Sequence, residues 1–361
     1  YALHWTELTR LVDAYESYKK AKKKIDFTDM IEGFIKRDDP PNLDALFVDE
    51  AQDLSTLQWA MVNVLRKTPK FQIFTGDDDQ AIMGFQGADV KAFLAATEKK
   101  EVLTKSYRLP KRVWEQAQRI ALKIEGRAPK TWWPKDEEGS VHYHQNFADV
   151  PLDSGKWCIL ARTNHIADYY AGLLEEEGWV YSRNGKTSID HRTYEAIMSW
   201  EDLAKGRSIT VPQLRNMYGF MKVGTDYKKG YGPRARCFTT LDSEQLIDMS
   251  FAEANLGLKW GDDIRWHKAL SKIDLDTKNY VLNALRRGDN VKNPRIKVST
   301  IHSMKGGESD NVLVITDLSY ASWKQYQKEP SIEHRVFYVA VTRAKKSLHI
   351  MEPTTRRYYE I

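Results

Sequence analysis

An α/β architecture, with parallel strands covered by helices, is predicted for this chain on three grounds. A short apolar run, Leu46–Val48, ends in Asp49, and a second run that reads as a buried strand, Phe71–Thr75, ends in Gly76-Asp77-Asp78-Asp79-Gln80. Continuous apolar runs of this length suit strands buried on both faces, and open α/β sheets carry their chemistry at the carboxyl ends of such strands. Strand and helix patterns alternate along most of the chain, the order that parallel sheets require. Residues 196–291 break the alternation. Their pattern is mainly helical, with a Gly- and Lys-rich loop from Lys222 to Arg236, and they read as an insertion.

The elements follow in order. Leu8, Leu11, Val12, Tyr15 and Tyr18 fall at helical spacing and predict a helix over Leu8–Lys24 that ends in the basic run Lys19–Lys24. Pro40 and Pro41 break the chain ahead of the first strand, and a helix over Leu54–Arg66 separates it from the second. Val102–Thr104 reads as a strand and Lys111–Ile124 as a helix. Trp157–Ala161 is a strand and Ile166–Glu177 a helix. His142 and His144 alternate on an expected strand; with no third ligand near them in sequence, they are not expected to hold a metal. Ile296–Thr300 and Val312–Thr316 read as strands, Glu333–Ala344 as a helix and Ser347–Met351 as the last strand.

Composition bounds the function. A length of 361 residues corresponds to about two domains. The longest apolar run, Val336–Val341, is far below the roughly 18 residues that cross a bilayer, and no basic-then-apolar leader opens the chain. Two cysteines, Cys158 and Cys237, cannot build a disulfide framework or a cysteine zinc site, so a reducing, cytoplasmic setting is expected. Lys and Arg total 55 against 50 Asp and Glu, a net +5 that pulls only weakly toward polyanions. Much of the excess lies in Thr104–Lys135, where Trp114, Trp132 and Trp133 are interleaved with the cations. That pattern suits nucleic acid, and it equally describes a solvated helix face over core tryptophans; alone it favours the second.

The chemistry-bearing residues cluster at the strand ends. In Asp49-Glu50-Ala51-Gln52 the first carboxylate can hold Mg²⁺ and the second can act on a water facing a γ-phosphate. Gln80, after the second strand, offers an amide that donates to a γ-phosphate only while it is present. Two acidic strand ends at this spacing are far more specific than either alone.

These residues resemble the UvrD/Rep/PcrA-type superfamily 1A DNA helicases. Val48-Asp49-Glu50-Ala51-Gln52-Asp53 resembles motif II, Gly76 to Ala88 motif III, and Ser106-Tyr107-Arg108 motif IV. Cys158 to Asn164 resembles motif IVa, Ser299 to Glu308 motif V, and Tyr338 to Ala344 motif VI. Asp26-Phe27-Thr28-Asp29 is similar to the short acidic motif that precedes motif II. The resemblance covers roughly 7–190 and 292–352. It implies tandem RecA-like P-loop NTPase domains, the first incomplete, with a mainly helical insertion in the second. The expected boundaries are 1–103 for the carboxyl-terminal part of domain 1A and 104–195 with 292–361 for domain 2A, with 196–291 as a reduced 2B domain.

The resemblance further implies ATP and Mg²⁺ as cofactors, with ATP between the two domains, and single-stranded DNA and single-strand/duplex junctions as partners. Asp49 would ligate Mg²⁺, Glu50 would act on the attacking water and Gln80 would contact the γ-phosphate. Tyr107 would stack on adenine, Glu308 would bond the ribose, and Arg108 and Arg343 would serve as arginine fingers. Phe85 would stack on a base, while Arg162, Asn164, Thr300 and His302 would lie along the strand. The implied activity is a bacterial or phage-encoded 3′ to 5′ helicase or translocase. A non-catalytic DNA-binding or scaffolding module of the same descent is the alternative.

Some positions depart from the family. Phe85-Gln86 stands where Trp-Arg is usual, and Gly306-Gly307-Glu308 where Gly-Leu-Glu is usual. The chain as given holds no GxxxxGK[ST] loop; Gly185-Lys186-Thr187 lacks the upstream glycine, since Val180 occupies that position. The expectation is a helicase sequence without its amino-terminal phosphate-loop part, in which these 361 residues alone bind ATP weakly.

Overall fold

The computed structural model describes residues 4–361. From the amino end it runs α1 (Trp5–Lys22), α2 (Phe27–Arg37), β1 (Ala45–Val48), α3 (Thr56–Leu65), β2 (Phe71–Phe74), α4 (Val90–Ala95) and α5 (Lys111–Ala121). Next come β3 (Ser140–His144), β4 (Trp157–Ala161), α6 (Asn164–Glu176), β5 (Tyr181–Arg183) and β6 (Lys186–Thr187). Then follow α7 (His191–Ala204), β7 (Ile209–Thr210), α8 (Val211–Gly219), α9 (Arg236–Thr239), β8 (Leu246–Ile247), α10 (Met249–Asn255), α11 (Trp266–Ala269) and α12 (Leu275–Arg287). The chain ends with β9 (Ile296–Thr300), β10 (Ser309–Ile315), α13 (Tyr320–Lys328), α14 (Pro330–Val341) and β11 (Ala344–Met351). No helix among the described residues is long and apolar enough to cross a membrane.

These elements form two compact units. One contains the described residues up to Tyr107 with Ala117–Pro134 and Lys328–Val339; the other contains Arg108–Gln116, Lys135–Gln327 and Ala340–Ile361.

In the first unit β1 and β2 pair in parallel, Val48 opposite Phe74, with α3 as the crossover. Ser55 starts α3 with a capping box: its hydroxyl accepts from Gln58 N, and the Gln58 side chain accepts from Ser55 N. Trp59, Val62, Ala51 and Ala96 pack beneath, joined by Val48, Phe74 and Phe93. The short acidic motif is a second capping box. Asp26 and Asp29 each accept the other's backbone N–H, and the buried Lys19 ammonium lies 3.0 and 2.8 Å from their carboxylates. The Asp29 N–H, followed by Lys19, pulls Asp26 down to about 2. Helix α1 forms, but its apolar stripe is exposed: Leu11 is 60% and Val12 50% accessible. The strand expected at Val102–Thr104 does not form. Leu103 is exposed, so burial does not favour an extended run there, and only a single bridge joins Lys105 to Trp133.

The second unit is built on a seven-stranded sheet in the order β3-β11-β10-β4-β9-β5-β6, parallel except at β5–β6. All five residues of β4 are buried, as its unbroken apolar run requires. β5 and β6 form a hairpin through Asn184 and Gly185, both at positive φ (50° and 75°), which is what a two-residue turn between twisted strands needs. The Gly185-Lys186-Thr187 sequence is therefore a hairpin, not a phosphate loop. Helices α7 to α12 share their own core around Trp200, Leu214, Phe238, Trp266 and Val281. The buried Asp226 carboxylate staples this region by accepting from Lys222 N (2.6 Å), Trp260 Nε1 (3.1 Å) and the Ser271 hydroxyl.

A third histidine joins His142 and His144. His349 on β11 stacks on both; its Nδ1 lies 2.8 Å from His144 Nε2 and its Nε2 3.0 Å from Ser347 Oγ. Strand register puts His349 opposite His142, a long-range pairing that the sequence does not display. Burial, helped by His142 and His144, lowers the His349 pKa to about 4. An unfolded histidine titrates at about 6.5. The neutral ring thus contributes stability above that pH, and the contribution drains as pH falls toward 4. Urea unfolding of the seven-stranded unit should therefore weaken from pH 7 to 4.5. His349→Gln should flatten that slope by up to about 1.4 kcal/mol per pH unit, one proton's worth. An unchanged slope would refute the assignment.

Candidate functional site

The ends of β1 and β2 lie level because hydrogen bonds continue past the strands: Thr75 N donates to Val48 O (2.8 Å) and Ala51 N to Thr75 O (2.9 Å). This brings Asp49, Glu50 and the Gly76–Gln80 loop together. Asp49 Oδ1 accepts from the Thr75 hydroxyl and from Glu50 N, and these two bonds, in that order, hold its carboxyl below the usual range. Glu50 sits in the left-handed region (φ 50°, ψ 37°), a conformation that costs a residue with a β-carbon roughly 1–2 kcal/mol. Such strain persists only where surrounding bonds impose it. Here the fully buried Gln52 does so: its Nε2 donates to Glu50 Oε2, while its Oε1 accepts from Asp77 N at 3.0 Å. Gln80 Nε2 donates to Asp77 Oδ2 at 2.7 Å. One hydrogen-bonded line thus runs from Glu50 through Gln52 and Asp77 to Gln80.

The other expected site residues fall into separate groups. Phe85 and Tyr107 are exposed, at 72% and 85%, and Lys105 Nζ lies 6.0 Å from the Tyr107 ring centre. Phe85 is not a core residue. Arg108 Nε donates to Glu308 Oε2 at 2.9 Å, so two expected nucleotide contacts are paired with each other. Lys345, then Arg108, hold the Glu308 carboxyl below its ordinary range. Arg343 is buried, donating to Gly307 O (3.2 Å) and Thr342 Oγ1 (3.0 Å).

Arg162, Asn164, Thr300 and His302 do come together. They follow the carboxyl ends of the neighbouring strands β4 and β9, where Ala161 is opposite Thr300 and Ile301 N donates to Ala161 O. Thr300 Oγ1 also accepts from Ser303 N, shaping the turn. Arg183, at the end of β5, joins them. It donates to Asn164 O at 3.1 Å and pairs with Asp168 at 2.8 Å. Nothing in its local sequence marks it, because the hairpin that places it there is short.

The basic stretch from Thr104 to Lys135 is largely spent on carboxylates. Besides Arg108, Lys111 and Arg112 pair with Glu138, while Arg127 and Lys130 pair with the motif III aspartates. The last two are functional candidates that sequence reasoning missed.

Residues 2–101 match the UvrD/REP helicase N-terminal domain and residues 264–353 the UvrD-like helicase C-terminal domain, together just over half of the chain. The chain belongs to the UvrD/Rep/PcrA-type helicase family. It is 22% identical to YjcD of Bacillus subtilis (strain 168) over 443 aligned residues, covering 97% of this chain and 58% of YjcD. It is 26% identical to the ATP-dependent DNA helicase PcrA of the same organism over 245 residues, 56% of this chain and 33% of PcrA. Against the F-box DNA helicase protein 1 of Schizosaccharomyces pombe it is 25% identical over 335 residues, 87% of this chain and 34% of that protein. The chain thus spans from a third to somewhat over half the length of these relatives.

In this UvrD-like chain the approach of the two loops depends on Gly76. A β-carbon there would meet Gln52 Oε1 at 2.2 Å and Phe93 Cζ at 2.9 Å. Gly76→Ala should therefore loosen the strand ends by about 1–3 kcal/mol, as overpacking does. Amide hydrogen exchange at Ala51 and Thr75 should accelerate by roughly tenfold or more. Unaltered exchange at both would show that the loops can part without consequence.

Proposed function

We propose that the intact protein is an ATP-dependent DNA helicase or translocase that moves 3′ to 5′ on single-stranded DNA and works at single-strand/duplex junctions. The observation that carries this reading is the hydrogen-bonded line Glu50–Gln52–Asp77–Gln80, which links a strained carboxylate to an amide over two strand ends. Phosphoryl transfer needs these two groups in register: one to take the proton of the attacking water, the other to contact the γ-phosphate. A binding scaffold has no use for the strain at Glu50.

Glu50 takes the proton of the attacking water, and Gln80 contacts the γ-phosphate. Tyr107 stacks on adenine, Glu308 bonds the ribose, and Arg108 and Arg343 place fixed positive charge against the phosphates. The residues present fit Mg²⁺: Asp49 is ionised, its Oδ1 is held by Thr75 and Glu50 N, and its Oδ2 has no hydrogen-bond partner among the described residues. One or two carboxylates with the substrate's phosphates is the usual Mg²⁺ environment, and the ion supplies charge neutralisation there. Phe85 stacks on a base while Arg162, Asn164, Thr300 and His302 hold the strand. The division into domain 1A (1–103), domain 2A (104–195 and 292–361) and the helical 196–291 region belongs to the same proposal.

Glu50→Gln keeps size and hydrogen bonding but removes the base. It should leave nucleotide binding intact and lower DNA-stimulated phosphate release by about 10²-fold or more. Near-normal turnover would remove Glu50 from the chemistry. Phe85→Ala should weaken single-strand binding by roughly 1–3 kcal/mol, the worth of one base stacked on an aromatic ring, and leave nucleotide affinity unchanged. Equal oligonucleotide affinity for both forms across a salt titration would exclude Phe85 from the DNA site.

A further inference from the structure

Asp77, Asp78 and Asp79 place carboxylate oxygens within 4.8 Å of one another, and two of the three residues are buried. Such a group elsewhere suggests a divalent ion. Here the space is filled by protein. Lys130 Nζ reaches Asp77 Oδ1 and Asp78 Oδ1 and lies 3.1 Å from Asp79 Oδ2. Arg127 forks onto both oxygens of Asp79, Nε to Oδ1 at 2.9 Å and Nη2 to Oδ2 at 2.6 Å. Ala128 N donates to Asp78 Oδ2 at 2.7 Å, and Arg335 Nε to Asp78 O at 3.0 Å. All of these residues belong to the first unit.

Asp77 is the point where this network meets the nucleotide-sensing loop. Its Oδ1 takes Lys130 and Asp79 N (3.1 Å); its Oδ2 takes Gln80 Nε2 at 2.7 Å. A glutamine amide is nearly symmetric in shape and opposite in chemistry at its two ends, so the partner of one end decides what the other presents. We propose that Lys130 is a positioning residue for Gln80: by holding Asp77 through Oδ1, it orients the carboxylate whose Oδ2 fixes the glutamine amide.

Without the ammonium, three like charges crowd one another. Asp77 then loses the partner that holds its Oδ1 and swings away, and the contact of its Oδ2 with the Gln80 amide is no longer fixed. Lys130 itself stays protonated, since the attraction of the aspartates outweighs its burial. The segment carrying Arg127 and Lys130 lies outside every motif noted in the sequence, so its effect on Gln80 comes from folding alone.

The inference rests on the proposed contact between Gln80 and the γ-phosphate. The test measures affinities for ADP and for ATPγS in the full-length protein, and uses their ratio as the readout. Gln80→Ala should reduce the preference for the triphosphate by roughly tenfold or more, the worth of one hydrogen bond to a charged group. Lys130→Met should cause a similar loss, and the double variant should lose no more than either single one, because both remove the same contact. Lys130→Arg, which restores the charge, should recover most of the preference. Should Lys130→Met not fold, Asp77→Asn tests the same link. An amide has one acceptor oxygen and cannot serve Lys130 and Gln80 together, so the ratio should fall there too.

A merely structural lysine would lower the melting temperature and leave the ratio unmoved, or give additive losses; either result overturns the inference alone. A Gln80→Ala variant with an unchanged ratio overturns both this inference and the γ-phosphate reading beneath it.

Discussion

A single buried amide, that of Gln52, holds the two loops on which the candidate chemistry depends. Its donor end and its acceptor end are both used, one on the Glu50 carboxylate and the other on Asp77 N. A glutamate at this position would have no donor for Glu50 and would set two carboxylates against each other. An asparagine would be one methylene too short to span both. The glutamine also needs its neighbour to be small, since any β-carbon at residue 76 would occupy the place of Oε1. Gln52 and Gly76 are therefore one device drawn from two strands. The left-handed backbone of Glu50 is what that device sustains.

The charged cluster around Asp78 works by a different physical rule. Three aspartates, Arg127 and Lys130 are removed from much of their water, which costs several kcal/mol for each ion before any pairing. Pairing offsets this cost without a large surplus, so the cluster is weak evidence for stability. What it does supply is arrangement. The bidentate fork of Arg127 on Asp79 and the three-way position of Lys130 leave the loop one geometry in which every charge is matched. Arg335 adds a tether from a helix 257 residues away in sequence, donating to the backbone of that loop.

Strands and motifs were legible in the sequence because they are local. Leu46–Val48 and Phe71–Phe74 form strands that end in polar groups, but they are only half-buried and not covered on both faces as expected: Phe47 is 67% and Phe71 54% exposed. The short run Val102–Thr104 had composition without burial, and it formed no strand. The apolar stripe of α1 predicted its helix correctly, yet spacing alone cannot say whether such a stripe is covered. Lys130 and Arg127 were legible only as part of a basic, aromatic stretch. Their aspartates lie about fifty residues away, and no periodicity connects the two. His349 and Arg183 were invisible for the same reason: parallel register and a two-residue hairpin bring them to their partners.

The two arginines expected to face phosphate are held in different ways, and the difference bears on how a nucleotide would recruit them. Arg108 is paired with Glu308 on side chains 34% and 43% exposed. Exposed pairs of this kind are worth about 0–1 kcal/mol, so under the proposed function exchanging this carboxylate for a triphosphate, which carries more charge, would be favourable. Glu308, the residue expected at the ribose, is also paired with Lys345 at 3.1 Å, so release of Arg108 would leave it held by the lysine. The partners of Arg343 include the Gly307 carbonyl and the Thr342 hydroxyl, and a phosphate oxygen is a stronger acceptor for a guanidinium than either. Its burial means that the exchange requires movement of the surrounding backbone, not of one side chain. Under the proposed function Arg108 would turn toward a nucleotide by a rotamer change, whereas the buried Arg343 would need the Gly306-Gly307 turn to shift, which would tie its engagement to a larger conformational step.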